Sequence, residues 1–203
     1  MTGKAIAILA FEIALGVLYL GSIVFLNRNS TDFILARRAT TLSVLAPGQT
    51  IRFGTPLGDS ASLLGDWLPL EPWGVWMDRR RTELALKPPA GTPLFLALSG
   101  RFLIPGADGQ HLDVGLDGRP LAAVAVAGAP GIVTCSWTIP LPPRAAPLSV
   151  LGFEVGQPMA PVDIGAGSDQ RLVGFGLATL TPVSAASPAA CDHGATIDVT
   201  PSG

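Results

Sequence analysis

The feature that most constrains this chain is the apolar run over residues 5–26, AIAILAFEIALGVLYLGSIVFL. A helix of roughly 20 apolar residues spans the hydrocarbon core of a bilayer, so a run of this length predicts a membrane helix. A cleaved signal peptide is the competing interpretation, but its apolar region is shorter, about 7–15 residues, and ends in a small-residue cleavage site. This run leads into NRNSTDF, without an A-x-A pattern. We therefore predict a retained transmembrane anchor over residues 1–27 and a juxtamembrane connector over residues 28–43.

One acidic residue, Glu12, interrupts the apolar run. An ionisable side chain in a membrane helix is costly unless it is neutral, reaches the interface or faces a partner. In one explanation, Glu12 is protonated or snorkels to the interface and needs no partner. In the other, Glu12 makes a polar contact with another membrane helix. Gly16 and Gly21 do not form a G-x-x-x-G dimer motif. We predict that Glu12, Gly16 and Tyr19 contact a larger integral membrane protein complex.

The flanking charges and the two cysteines give opposing indications of orientation. Arg28, Arg37 and Arg38 follow the apolar run, and the positive-inside rule would place them in the cytoplasm. Long domains, however, translocate largely regardless of flanking charge. Cys135 and Cys191 would tie the tail to the domain if they form a disulfide, which persists in oxidising compartments, although two free thiols fit the sequence equally well. We predict a single-pass protein of the bacterial inner membrane with its C-terminal domain in the periplasm.

From residue 44 onward, the sequence changes to short alternating segments separated by turn residues. Apolar and polar residues alternate in TELALK and QHLDVGL, which is typical of strands with one buried face. Asp117 and Gly118 form a DG pair between two such segments, a strong hairpin signal. We predict a mainly β protein, an antiparallel β-sandwich of jelly-roll or immunoglobulin-like type, over residues 44–183. The small, polar residues 184–203 are predicted to form a loosely ordered tail.

Composition and motifs argue against several classes of function. The net charge of −2 gives no electrostatic case for nucleic acid, whose binding usually needs a basic face. His111 and His193 lie far apart in sequence, and the chain has no G-x-S-x-G, Walker loop or C-x-x-C pair. Asp108, Asp113 and Asp117 do not have the spacing of an EF-hand. We therefore predict a non-enzymatic protein without a metal ion or other cofactor.

The stretch GDWLPLEPWGVWMDRRR, residues 65–81, carries three of the four tryptophans. In one interpretation at least two of them pack inside the sandwich, because large aromatics supply much of a small core's buried area. In a second, an exposed ring stacks on a sugar while charged neighbours bind its hydroxyls. In a third, which we rank last, Glu71 and Asp78 are the paired carboxylates of a glycoside hydrolase. The glycan-binding candidates are Trp67, Glu71, Trp73, Trp76, Asp78 and Arg79.

Four segments resemble a known kind of domain: PGQTIRFG, GDWLPLEPWGVWMDRRRTELAL, FLIPGADGQHLDVGLDGRPL and GSDQRLVGFGLATLTPV. In this order they are similar to the β-sandwich domain appended to some bacterial membrane proteins of surface-polysaccharide assembly, including glycosyltransferase-like ones. The resemblance covers residues 44–182. Its most specific parts are EPWGVW and the ending formed by Asp169, Arg171, Leu172, Gly174, Gly176 and Leu177. It implies a periplasmic all-β domain in contact with glycans, and it carries over no catalytic residues.

The sequence predicts one membrane span and no glycosyltransferase domain, so no activity of the larger relatives is carried over. We predict an accessory subunit that docks in a larger bacterial membrane complex, one for polysaccharide assembly, and presents a periplasmic sandwich for protein or glycan contact. Two alternatives stay open: a scaffold subunit of a respiratory or photosynthetic membrane complex, and a free-standing carbohydrate-binding protein of the envelope. Exposure of Trp67 or Trp76 beside Glu71 would favour glycan contact, whereas burial against another subunit would favour a scaffold.

Overall fold

The computed structural model describes residues 12–13, 15–20, 22, 37, 40–56, 58–89, 94–143 and 148–202. The chain divides into two compact units, Met1–Thr40 and Thr41–Gly203. In the first unit, the described residues between 12 and 22 are helical and exposed to solvent. No helix within the described residues reaches the length and apolarity needed to cross a membrane. Most of the span predicted over residues 1–27 lies outside the described residues, so the anchor stays a prediction.

The described residues of the second unit form twelve strands. In chain order they are β1 (Ile51–Arg52), β2 (Leu63–Leu64), β3 (Val75–Trp76), β4 (Arg81–Leu86), β5 (Leu94–Ile104), β6 (Gln110–Leu116), β7 (Arg119–Ala127), β8 (Gly131–Leu141), β9 (Ser149–Val155), β10 (Phe175–Val183), β11 (Ala190–Cys191) and β12 (Thr196–Pro201). A 3₁₀ turn, Pro161–Ile164, precedes β10.

These strands form two antiparallel sheets with a shared apolar core. Sheet A has the order β1-β10-β5-β8-β11, with β3 also paired to β10, and sheet B has the order β12-β7-β6-β9-β4-β2. Side chains alternate between buried and partly exposed along most of β5, β8 and β9, as expected for strands that face the core on one side. The prediction of a mainly β, antiparallel sandwich is confirmed.

Aromatic rings fill the space between the two sheets. On sheet A, Phe102 lies with its ring centroid 5.4 Å from that of Trp137 and 5.1 Å from that of Phe175. Phe153 on sheet B lies 5.5 Å from Phe175, so this pair joins the sheets directly. All four side chains are fully buried. Rings of this size dominate core energetics, and tilted or edge-on pairs at these distances are favourable.

The hairpin between β6 and β7 forms where the DG pair predicts it. Asp117 and Gly118 have φ angles of 51° and 76°. Positive φ at both central residues is the requirement of a type I′ turn, which asparagine, aspartate and glycine meet most readily. Asp117 is further held by Val150 of β9, whose backbone N–H donates to Asp117 Oδ1 at 2.7 Å.

The C-terminal segment, predicted to be loosely ordered, instead adds one strand to each sheet. β11 pairs with β8, and six residues of β12 pair with β7. Cys135 and Cys191 form a disulfide, with Cα atoms 4.1 Å apart. Ile197 and Val199 of β12 also pack against the core. The small, polar composition of residues 184–203 does not predict this arrangement, because the order of the segment comes from a cross-link and from pairing with a distant strand.

Loss of the disulfide is expected to destabilise the second unit. The cross-link joins residues 56 positions apart, and the chain-entropy model assigns such a loop about 4 kcal/mol. The variant carrying Cys135→Ser and Cys191→Ser should therefore unfold at lower denaturant than the oxidised wild type. A reducing agent should lower the wild-type midpoint to the same extent and leave the variant unchanged. A wild-type midpoint that does not respond to reduction would contradict this expectation.

Candidate functional site

The tryptophan stretch contains a tight turn at residues 71–74. The Glu71 backbone N–H donates to the Gly74 carbonyl at 2.8 Å, and the Gly74 N–H donates back to the Glu71 carbonyl at 3.2 Å. Pro72 suits the second position of such a turn because its φ is already restricted to the required range. Gly74 has no room for a side chain, since a Cβ there would lie 2.4 Å from the Leu177 carbonyl oxygen. The turn therefore lies directly against β10.

Trp73 is held on three sides. Its Nε1 donates to Glu71 Oε2 at 2.7 Å, and its ring meets the ring of Trp76 edge-on at 4.9 Å between centroids. The guanidinium of Arg101, on β5, lies 4.3 Å from the Trp73 ring centroid. A cation at this distance is attracted by the negative face of the indole. Trp73 is therefore half-buried, and Arg101 covers one face of its ring.

An ionic chain extends from Glu71 to the segment before β10. Arg171 Nη2 donates to Glu71 Oε1 at 2.8 Å and also to Asp169 Oδ2. Arg171 Nε lies 3.0 Å from both oxygens of Asp169, and the Arg171 backbone N–H donates to Asp169 Oδ1 at 2.9 Å. We call Glu71, Trp73, Arg101, Asp169 and Arg171 the Trp73 cluster. It ties the turn at residues 71–74 to the loop that precedes β10.

Within the Trp73 cluster, the electrostatics favour the charged forms of Asp169 and Arg171. The side-chain hydrogen bond from Arg171 lowers the pKa of Asp169 below the ordinary value of 3.8. Hydrogen bonds to Asp169 and Glu71 raise the pKa of Arg171. A general acid must hold its proton near the working pH, which requires a raised carboxyl pKa. Asp169 is shifted the opposite way, so this pair is suited to hold charges in place and to bind hydroxyls.

The structure brings together only part of the predicted glycan-binding set. Glu71 and Trp73 belong to the cluster, and Trp76 lies beneath it at 4% exposure, packed with Leu103 and Val173. These residues form a small second core on the outer face of sheet A, which fits the packing interpretation of the tryptophans. None of the three tryptophans of the stretch is fully exposed.

The remaining candidates lie elsewhere. Trp67 packs edge-on against Phe153, and its Nε1 donates to the Glu83 carbonyl at 2.8 Å. Asp78 and Arg79 follow β3 on a surface turn, with Arg79 Nε 3.9 Å from Asp78 Oδ1. The side chain of Glu71 instead bonds Trp73 and Arg171.

Sequence reasoning did not place Arg101, Asp169 or Arg171 in a site. Arg101 could have been noticed as the one charged residue in an otherwise apolar strand, PLFLALSGRFLI. Asp169 and Arg171 stand in the most specific part of the resemblance, but their spacing alone does not reveal that Arg171 binds Glu71, one hundred residues earlier.

The predicted membrane-contact residues occupy one face of the described helix. Glu12, Gly16 and Tyr19 are separated by four and three residues, the spacing that places side chains on the same side of a helix. All three are exposed within the first unit. In the part of the chain that the structure describes, no group of three or more histidine, cysteine or acidic side chains could hold a metal ion.

No protein-family model matches the sequence, and no curated protein matches it significantly. Among solved structures, the chain is similar to a carbohydrate-binding module, CBM36, in complex with calcium and xylotriose. The two chains share 10% sequence identity at a TM-score of 0.36, over 66% of this chain and 98% of that chain. At this level the similarity supports no inference about the ligand of this chain.

Gly176 is expected to be essential for the packing of the tryptophans. A Cβ at this position of β10 would lie 2.5 Å from Trp73 Cη2 and 2.7 Å from Trp76 Cε3. Gly176→Ala should therefore lower the free energy of unfolding by about 1–3 kcal/mol, as overpacking does elsewhere. Denaturant unfolding followed by tryptophan fluorescence measures this loss. Gly106→Ala is the matched control, because a Cβ there meets no atom within 4 Å; equal stability of the two variants would refute the packing described above.

The ion pair of Asp169 and Arg171 should make a pH-dependent contribution to stability. Because the folded-state pKa of Asp169 is lowered, its contribution is present above the ordinary value of 3.8 and is lost as the pH falls through the folded-state pKa. Asp169→Asn should be less stable than wild type at pH 7, by about 1 kcal/mol or less for a partly exposed pair. The difference should vanish in strong acid. Asp198→Asn, which removes an exposed carboxylate on β12, should show no such difference; a gap between wild type and Asp169→Asn that persists in acid would argue against the ion pair.

Proposed function

We propose that this chain is a non-enzymatic accessory subunit of a bacterial membrane complex, anchored by its N-terminal helix and presenting a periplasmic β-sandwich. The observation that carries the proposal is the apolar run at residues 5–26, joined to a disulfide-bonded β unit. A helix of this length and composition is matched to the hydrocarbon core of a bilayer.

Exposed apolar side chains on the helix support a role for it in binding. Ile13, Val17 and Leu18 are 60%, 65% and 71% exposed within the first unit, and Leu15, Tyr19 and Leu20 are exposed to a similar degree. A contiguous apolar surface of this kind marks a protein or membrane contact. Glu12 is an ionisable residue on the same, otherwise apolar, helix surface. Its presence favours a protein partner in addition to lipid.

The disulfide supports a periplasmic location for the β-sandwich. Structural disulfides persist in oxidising compartments, such as the bacterial periplasm, and are rare in the reducing cytosol. Cys135 is fully buried, and Cys191 lies beside the core. The cross-link therefore belongs to the fold, and a reducing compartment would leave the tail without its covalent tie.

The resemblance to the β-sandwich domain of polysaccharide-assembly proteins favours one form of this proposal, a binding role in polysaccharide assembly. Its most specific segments are the turn that carries Trp73 and the ending that carries Asp169 and Arg171. In the structure these segments form one cluster, in which Arg171 bonds Glu71 and the ring of Trp73 is fixed by its neighbours. A cluster held together by ion pairs and ring contacts stabilises a surface, which suits a module that makes contacts with a protein or a glycan.

Docking through the helix is expected to depend on Glu12. The full chain, extracted in a mild detergent, should co-purify with a larger integral membrane protein. Glu12→Leu should reduce the amount of partner recovered by about tenfold, the factor that corresponds to 1.4 kcal/mol and lies within the range of polar contacts between membrane helices. Quantitative mass spectrometry of the purified material measures this ratio.

Asp198→Asn is the control for this experiment, because it also removes one carboxylate but lies on β12 of the second unit, outside the helix. It should leave the recovery of the partner unchanged. Recovery of the wild-type chain solely as a monodisperse monomer, with no co-purifying membrane protein, would overturn the docking role.

A further inference from the structure

A groove of about 340 Å³ lies on the outer face of sheet B, away from the Trp73 cluster. Its volume is within the range of pockets that hold small ligands. The floor is formed by two glycines, Gly115 of β6 and Gly152 of β9, which are paired directly opposite each other. Charged side chains of neighbouring strands surround the floor, among them Glu83, Glu154 and Arg119.

Nothing in the fold requires glycine at position 152. Its φ is not in the left-handed region, and no heavy atom of the described residues lies within 4 Å of the place a Cβ would occupy. Gly74, Gly100 and Gly176 differ in this respect, because at each of them a Cβ would collide with neighbouring atoms at 2.4–2.5 Å. Glycine weakens a strand interior, and it often marks a place where another molecule approaches the backbone closely.

The rim of the groove contains a second arrangement that weakens the isolated sheet. Asp113 of β6 is paired directly opposite Glu154 of β9, and like charges in this register repel. Arg80 offsets part of this repulsion at 3.1 Å from Glu154, and His111 Nε2 lies 2.9 Å from Asp113 Oδ1. Both carboxylates remain exposed enough to accept further hydrogen bonds.

The chemistry of the groove identifies the class of ligand. β6 and β9 are interior strands of sheet B, so their backbone groups are already paired and a peptide strand cannot be added there. Three carboxylates, those of Glu83, Asp113 and Glu154, disfavour an anion, and the charged rim disfavours an apolar molecule. Sugar hydroxyls both donate and accept, so they match carboxylate oxygens that lie beside the guanidinium groups of Arg81 and Arg119.

We infer that this groove is a binding site for an uncharged saccharide. One sugar ring lies against the backbone at Gly115 and Gly152, and its hydroxyls bond Glu83, Glu154 and Arg81. The inference rests on the proposed function as a contact module and deepens it by naming the ligand class and its location. It also assigns glycan recognition to sheet B, whereas the glycan-binding candidates predicted from the sequence lie in the tryptophan stretch.

The test uses the full chain in a detergent without a sugar head group, so that the detergent does not compete for the groove. The probe is an array of uncharged hexose and pentose oligosaccharides that also carries uronate-containing and sulfated oligosaccharides. Wild type should bind uncharged members, and Gly152→Val should weaken that binding by at least about tenfold, because the new side chain occupies the floor. The same variant should keep a melting temperature equal to that of wild type or up to about 4 °C higher.

Ala125→Val is the matched control, since Ala125 is exposed on the outer face of β7 but does not line the groove. It should bind like wild type. Glu83→Gln provides a second variant at the rim and should also weaken binding while leaving the melting temperature unchanged.

Absence of binding to every glycan, binding confined to acidic glycans, or equal binding by wild type and Gly152→Val would overturn the inference. None of these results bears on co-purification with a membrane complex, which Glu12→Leu tests separately. The saccharide site can therefore fail while the docking role stands, and the reverse also holds.

Discussion

The contact between Phe153 and Phe175 is the interaction on which the rest of the second unit depends. It is the point where sheet B meets sheet A through two fully buried rings, 5.5 Å apart, and each ring continues into further aromatic contacts. With Phe175 directed into the core, strand alternation directs the next residue, Gly176, to the outer face. The absence of a side chain at Gly176 leaves the space that Trp73 and Trp76 occupy. The surface cluster is therefore a consequence of how the core is packed.

Much of this fold follows from local patterns in the sequence. The alternation in TELALK and QHLDVGL corresponds to β4 and β6, and the DG pair forms the predicted turn, because these signals depend on residues close together in the chain. A glycine inside a strand often marks a bulge, and Gly100 lies in the middle of β5. The structure shows one continuous strand, and the irregularity lies in its partner β10, between Leu177 and Thr179. That difference depends on pairing between distant segments, which a local pattern does not contain.

The candidate site was less predictable for the same reason. The tryptophan stretch drew attention to Glu71 and Trp73, but their partners Arg101 and Arg171 come from β5 and from the loop before β10. Their proximity depends on the register of β10 with β3 and β5. The tail is a similar case. Its strand β12 is short and polar, and its order depends on pairing with β7 and on a disulfide five residues earlier in the chain.

The outer faces of sheets A and B differ in how much of each face is covered. The disulfide contributes to the face that we assign to binding. On sheet A, Trp76 and apolar side chains of the loop before β10 cover one end of the face. On sheet B, the glycine floor is open, and one part of its wall comes from the tail, since Ser202 lines the groove. The Ser202 N–H donates to the Leu121 carbonyl at 2.9 Å, which holds the end of the tail against β7. The cross-link at Cys191 limits how far the tail can move from the sandwich. The cross-link thereby also helps to complete the surface that we assign to binding.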